Sequence, residues 1–293
     1  METFQPRLIL CPTDFSELAT AALRYGRDVA ACFGARLLVI YADPFLPPPY
    51  FTMEQLADVT RAMDRSRQAA REHLQRYVRE QVGETVEVET RVVEDHPVSA
   101  IVTTAEREPV DLIVMGTHGR SGVGRLMLGS VTERVLRETS RPVLTVRPRP
   151  GATIGAPLPV RRVLCPVNFT DVAEVALRHA AAVAQCFGAE LFVLHVLESA
   201  DSVGAEETAR ERLCGWVPPD VRARCQLQEM VRQGDAAQQI ITTAESLGCD
   251  LIVLGAQHRR FFDATVIGTT TVRVTRHSPV PVLTVIRPAP AKQ

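Results

Sequence analysis

The residues of this chain best suited to chemistry are glycines and arginines. Gly116-Thr-His-Gly-Arg-Ser-Gly-Val-Gly-Arg-Leu-Met-Leu-Gly-Ser130 spaces Gly116, Gly119 and Gly129 around His118, Arg120 and Arg125. Glycine lets a backbone approach a ligand closely. A helix opening at Gly129-Ser130 would offer free N–H groups, a hydroxyl and a dipole that favours an anion. With two arginines nearby, these are the components of a phosphate site. No Gly-Lys-Ser/Thr follows at P-loop spacing, and a dinucleotide fingerprint would have to follow the first strand directly. On the residues alone, a surface loop using glycine for its turns explains the stretch equally well.

Other chemistry has less to work with. Asp14, in Cys11-Pro-Thr-Asp-Phe-Ser16, is the one acid inside a motif, and no His is paired with Ser130 or Cys11 to activate a nucleophile. Phosphoryl hydrolysis needs a positioned water and a metal carboxylate, so an efficient hydrolase is not indicated. The seven cysteines contain no Cys-x-x-Cys pair and the seven histidines no ligand spacing, so no metal site is expected. Cys11 and Cys165 fall in expected buried strands, with Cys32 and Cys186 at helix ends, all read as reduced thiols of small core residues. Glu133 and Arg134 read as a solvated helix face.

The elements that would carry these residues alternate. Apolar runs at Leu8–Cys11, Leu37–Tyr41, Leu112–Met115 and Val143–Val146, and an alternating stretch at Val86–Val93, predict five strands. Between them, helical spacing runs from Leu18 to Phe33 with a terminating Gly34, then through a long polar helix containing Leu56, Met63, Ala70, Leu74 and Tyr77. A short helix is expected from His96-Pro97 to Ile101, and another from Gly129 to Glu138. This alternation is α/β, a parallel sheet with helices on both faces that binds ligands beyond the carboxyl ends of its strands.

The pattern occurs twice. Arg7-Leu-Ile-Leu-Cys-Pro-Thr-Asp-Phe15 returns as Arg161-Arg-Val-Leu-Cys-Pro-Val-Asn-Phe169, and Cys32-Phe-Gly34 as Cys186-Phe-Gly188. Nearly half of the ungapped positions of 101–146 and 240–285 are identical, including Pro142-Val-Leu-Thr-Val146 and Pro281-Val-Leu-Thr-Val285. The offset shortens between these sets, so the first copy holds an insertion, expected in the Pro-rich stretch 43–50. The expected division is a first domain at 1–147, a Pro/Gly-rich linker at 148–160 and a second domain at 161–288. The second copy departs where it matters: His258 replaces Gly119, Phe261-Phe262-Asp263 replaces the glycine-rich segment, and Asn168 replaces Asp14.

Gly116-x2-Gly-x9-Gly129-Ser130, Cys11-Pro-Thr-Asp14-Phe-Ser16 and Arg141-Pro-Val-Leu-Thr-Val146, in this order, resemble the universal stress protein family over nearly the whole chain. The resemblance implies a tandem protein with two doubly wound domains, each a five-stranded parallel sheet of order 3-2-1-4-5. It also implies ATP, with Mg2+ as its counter-ion, at the carboxyl ends of strands one and four. By that resemblance Asp14 hydrogen-bonds the ribose, Pro12 and Thr13 flank the adenine, and Ala42 and Met115 form its wall. Gly116, Gly119, Gly129, Ser130 and Val131 match phosphate and ribose contacts, with His118 and Arg120 between them, facing either phosphate or solvent. The last strands would pair the two domains, and a whole-chain homodimer is a further expectation. The implied function is an ATP-binding stress-response regulator; a slow or self-phosphorylating ATPase and a non-catalytic assembly module are the alternatives. The second copy is expected to bind ATP weakly or not at all.

Bulk properties bound the partners. A net charge of −1 over 293 residues offers no general positive field for nucleic acid or an anionic membrane. No apolar run reaches spanning length and the N-terminus lacks a secretory pattern, so a cytoplasmic protein is expected.

Overall fold

The computed structural model describes residues 4–44, 53–117, 128–147, 160–198, 204–257, 259–261, 264–266 and 268–287; of 53–63, 259–261, 264–266 and 287 it describes the backbone alone. In the first half, β1 (Leu8–Thr13), α1 (Glu17–Phe33), β2 (Arg36–Ala42), α2 (Met53–Val82) and β3 (Val88–Val93) lead into α3 (Pro97–Arg107), β4 (Leu112–Gly116), α4 (Ser130–Glu138) and β5 (Val143–Val146). In the second half, β6 (Arg162–Val167), α5 (Asp171–Phe187), β7 (Glu190–Leu197), α6 (Ala205–Trp216), α7 (Pro219–Arg224) and β8 (Leu227–Gln233) come first. They are followed by α8 (Ala236–Ser246), β9 (Leu251–Gln257), β10 (Arg259–Phe261), β11 (Ala264–Val266), α9 (Thr269–His277) and β12 (Val282–Arg287).

Local chemistry explains the boundaries of the first helix. The Ser16 hydroxyl accepts the Ala19 N–H at its start, and Gly34 closes it in the left-handed region with φ 68°. Thr170 and Gly188, with φ 66°, repeat this on α5. Each helix follows a strand whose start is tied across the sheet by an aspartate. Asp111 Oδ2 accepts from the Arg7 and Leu8 N–H groups, at 2.7 and 3.1 Å, and Asp250 Oδ2 from those of Arg161 and Arg162, at 2.7 and 3.0 Å.

The first half orders its strands β3-β2-β1-β4-β5 and the second β8-β7-β6-β9-β12, each a doubly wound parallel sheet. β5 and β12 then run antiparallel to each other, so a single ten-stranded sheet spans both halves. The last strand of each half, expected at an edge, therefore has a neighbour on both sides. Helices α1 and α5 share one face of this sheet, where Leu144 and Leu283 join one apolar cluster with Ile9, Val29, Val163 and Val183. The opposite face is divided between a cluster under α3 and α4 and another under α8 and α9.

Two expectations need correction. Helix α3 does not stop at Ile101 but runs to Arg107, because Ala100, Ile101, Thr104 and Ala105 keep one buried face. The extra length of the first half is not confined to 43–50: α2 has 30 residues where the second half has the 12-residue α6 and the 6-residue α7. Residues 45–52 and the segment 148–159 lie outside the described residues.

Candidate functional site

The two central strands of the first half part company at their carboxyl ends. β1 pairs with β4 only at Ile9↔Leu112 and Leu10↔Ile113, whereas its pairing with β2 continues to Thr13↔Tyr41. Pro12, which has no N–H to give to a ladder, follows the last β1–β4 pair. Parallel strands that diverge where the strand order reverses leave a crevice, the usual place for a ligand in such sheets.

The turn after β1 is built by its own side chains. Thr13 Oγ1 accepts the Phe15 N–H at 3.0 Å and Asp14 Oδ1 accepts the Ser16 N–H at 3.0 Å. Phe15 is thereby held at φ 63°, a left-handed conformation that an aromatic residue rarely adopts. Its ring packs on Tyr41, His73 and Tyr77, with centroids 4.9, 4.7 and 5.1 Å away. Phe169 repeats the conformation at φ 60°, against His195 and Trp216 and under the Arg212 guanidinium. An aromatic residue in strained backbone at the same place in both copies marks a shape the fold holds on purpose. Phe15 was not singled out from the sequence; its recurrence as Phe169 beside Asp14 and Asn168 was the available signal.

The far wall is the end of β4 and the start of α4. Met115 is buried, Gly116 half-buried, and Ala42 half-buried at the end of β2. Gly116 packs closely on α1: a Cβ there would stand a crowded 3.1 to 3.2 Å from the Leu18 Cβ, carbonyl carbon and oxygen. The close approach expected toward a ligand is thus already made toward α1. The Thr132 hydroxyl donates to the Gly116 carbonyl at 2.8 Å, fixing α4 against the strand.

Gly129 caps α4, and its N–H donates to the Thr117 carbonyl at 2.7 Å. That N–H is consequently not free, contrary to expectation; the bond ties together the two ends of the glycine-rich loop. The following N–H groups, of Ser130, Val131 and Thr132, have no acceptor within the helix, and the Ser130 side chain is exposed. Pro12, Thr13, Asp14, Ala42, Met115, Gly116, Gly129, Ser130 and Val131 therefore share the carboxyl edge of the sheet around β1, β2, β4 and α4. His118, Gly119 and Arg120 lie outside the described residues.

The second half repeats the split, with β6 and β9 paired only at Val163↔Leu251 and Leu164↔Ile252. A cleft of about 750 Å³ opens there, lined by Asn168, His195, Glu198, Gln257 and the Gly268–Thr271 start of α9. Asn168 is exposed and its Oδ1 accepts from the Thr170 hydroxyl at 2.7 Å, while Val167 removes the hydroxyl that Thr13 contributes in the first half. His195 stands where the first half has Tyr41. Its Nδ1 lies 2.9 Å from the Val167 carbonyl, which can only accept, so Nδ1 is the donor of that bond. Beyond β9 the chain forms an antiparallel β10–β11 hairpin rather than a glycine-rich loop, and β11 lies against α4 of the first half. His258, Phe262 and Asp263 lie outside the described residues.

The cysteines hold one surprise. Cys32 and Cys186 are joined in a disulfide, with their Cα atoms 5.9 Å apart, so these two are not the reduced thiols expected. The reason is symmetry: equivalent helix ends of the two halves meet, a relation that lies between copies rather than within one. Cys11, Cys165, Cys214, Cys225 and Cys249 take part in no disulfide; burial pushes the Cys11 thiol up to about 12 and raises that of Cys165 as well. Among the described residues no His/Cys/Asp/Glu group could hold a metal ion, and no helix is long and apolar enough to cross a membrane.

Two doubly wound halves, each split at its switch point and joined through their fifth strands, define a tandem α/β protein whose sheet parts along its carboxyl edges. The chain belongs to the universal stress protein family: the family profile matches residues 6–147 and again 159–285. A universal stress protein of Mycolicibacterium smegmatis is 26% identical over 296 residues, covering 96% of this chain and 97% of its own. Universal stress protein MJ0531 of Methanocaldococcus jannaschii is 34% identical over 142 residues, covering 47% of this chain and 81% of its own. The crystal structure of a universal stress protein from Archaeoglobus fulgidus shares the fold, with a TM-score of 0.74 at 24% identity, covering 97% of this chain and 100% of its own.

Proposed function

We propose that the first half binds ATP and that nucleotide occupancy regulates the contacts of the whole chain. The observation that carries this reading is the closure of the loop ends by the Gly129–Thr117 bond, directly across the crevice from the Asp14 turn. That closure presents the start of α4, with its unpaired N–H groups and favourable dipole, to the space where a phosphate chain would lie. Asp14 would offer its carboxylate to a ribose hydroxyl. Ala42 and Met115 supply apolar surface for a base, and Gly119, His118 and Arg120 complete the phosphate contacts. Mg2+ would accompany the phosphates as counter-ion; the donors on this edge suit a nucleotide, and no His/Cys/Asp/Glu group among the described residues forms a separate metal cage. Regulation then follows from linkage: the nucleotide populates whichever arrangement of the chain binds it better.

The second half serves in this reading as a structural partner, through β5 and β12, in a cytoplasmic protein that also forms homodimers. Its cleft of about 750 Å³ is large enough for a nucleotide. Weak binding there must come from chemistry, with Asn168 in place of Asp14 and Glu198 on the wall, rather than from lack of space. Calorimetric titration with ATP, ADP and AMP tests all of this. We expect one ATP per chain, lost on Asp14→Ala or Gly119→Val while the folded spectrum is kept. Two equivalent sites, or undiminished binding in both variants, would overturn the assignment. Timed ATP turnover separates a regulator, which keeps its ATP for hours, from an enzyme, which accumulates ADP.

A further inference from the structure

We propose that Cys32 and Cys186 form a redox-responsive clasp that locks the two halves of the chain together. The two cysteines occupy equivalent positions at the last turns of α1 and α5, 154 residues apart in sequence, with Cα atoms 5.9 Å apart. That separation lies inside the range a disulfide spans without backbone movement. Both residues are half-buried, and so within reach of a small reagent, while Cys11, Cys165 and Cys249 are buried.

The surroundings favour the same two sulfurs. Phe4 stacks on His179 of α5 with centroids 4.1 Å apart and meets Phe33 of α1 edge-on at 5.8 Å, so one aromatic column braces both helices beside the cysteines. Tyr25, Val29, Val183 and Phe187 line a small apolar gap of about 20 Å³ at the same junction. Packing thus brings the thiols together before any bond forms, which gives each a high effective concentration toward the other. At helix C-termini the dipole gives a thiolate no support, so the reduced pair lacks the thiolate stabilisation that makes a disulfide strongly oxidising.

The chemistry is exchange with a small disulfide of the oxidised-glutathione class. The thiolate of one cysteine attacks a sulfur of that disulfide, forming a mixed disulfide and releasing one small thiolate. The second cysteine, after losing its proton, attacks the protein sulfur of the mixed disulfide and releases the other small thiolate. The protein gives up two electrons and two protons, and the reagent becomes two thiols. The bond closes a loop running through both halves and cross-links them independently of β5 and β12, so oxidation restricts the unfolded chain and the separation of the halves alike.

The test uses the full chain, equilibrated with oxidised or reduced glutathione and then alkylated without unfolding intermediates being reduced. Mass mapping should find a Cys32–Cys186 peptide in the oxidised sample and both residues alkylated in the reduced one. Oxidation should raise Tm by roughly 10 °C in the wild type and not at all in C32S or C186S. A third arm inserts a protease site within 148–159. After cleavage the oxidised chain should run as one band on a denaturing gel without reductant, and as two bands with it. Alkylation of both cysteines under oxidising conditions, two bands without reductant, or an equal Tm rise in C32S would each overturn the clasp. The wild-type mapping decides the matter even if a serine variant folds poorly, and none of these readouts depends on nucleotide binding.

Discussion

Leu144 of β5 and Leu283 of β12 lie directly opposite each other in the antiparallel pair that joins the halves, and each is the other's equivalent in the sequence repeat. Val143 faces Thr284 and Thr145 faces Val282, the arrangement a two-fold axis through the two leucines demands. Cys32 and Cys186 obey the same relation. The halves of this chain meet as two identical subunits would, and small departures from identity are built on that frame: Thr145 Oγ1 donates to the Val282 carbonyl at 3.1 Å, and the Arg147 guanidinium to the Arg276 carbonyl at 2.7 Å.

The leucine pair should therefore control the association of the halves. Leu144 and Leu283 are 4% and 2% exposed, so Leu144→Asp would bury a charge with no partner. We expect about 3 kcal/mol or more of lost stability and a larger radius of gyration by small-angle scattering. An unchanged radius together with an unchanged melting curve would show that β5 and β12 do not hold the halves.

Gly116, which ends β4, and its equivalent Gly255 in β9 rank by the space around them. A Cβ on Gly255 would meet the Val172 carbonyl oxygen at 2.8 Å, whereas one on Gly116 would meet Leu18 atoms at 3.1 to 3.2 Å. Overpacking against backbone typically costs about 1–3 kcal/mol. In denaturant titrations Gly255→Ala should therefore lose more stability than Gly116→Ala; the reverse order would contradict the packing account.

Acid should weaken the junction through His179. Burial lowers its pKa from 6.5 to about 4, against a smaller opposing effect of its bond to the Val175 carbonyl. Above pH 6.5 it is neutral both folded and unfolded. As pH falls, the unfolded chain takes up the proton first, so stability drops between pH 6.5 and 4 and the loss is complete below the folded value. The full shift corresponds to about 3 kcal/mol. Groups on neighbouring elements add their own titrations, so the informative measurement is the difference from His179→Phe, whose stability should fall less over that window. Parallel curves for the two proteins would refute the assignment.

Asp111 anchors the start of β1 through two backbone N–H groups. Asp111→Ala removes both acceptors and should cost about 1–3 kcal/mol. Asp111→Asn keeps an oxygen in place and should cost less, as hydrogen exchange at Arg7 and Leu8 would reveal. Equal exchange in the two variants would mean that these bonds contribute nothing.

Much of this was legible in the residues. Periodicity and punctuation marked the strands because burial on both sheet faces demands unbroken apolar runs, and Gly34 and Gly188 announced helix ends because few other residues accept a positive φ. The repeated motifs also pointed to the carboxyl edges of β1 and β4, since a βα unit delivers its strand end and helix start to the same place. Helix α3 ran past its expected end because burial of one face continued and no strong terminating residue stands before Glu108.

Within one copy, local order alone determined strand, helix, turn and the candidate cleft. Only the tertiary structure decided what depends on how the copies meet. The opposition of Leu144 to Leu283 in the β5–β12 pair and the Cys32–Cys186 bond join equivalent residues of the two copies, which the repeat aligns in sequence without bringing them into contact. It also decided that Gly116 serves the packing of α1 and that the Gly129 N–H closes the loop. Spacing along a chain records which residues share an element, whereas symmetry and close packing are relations between elements and exist only once these have met.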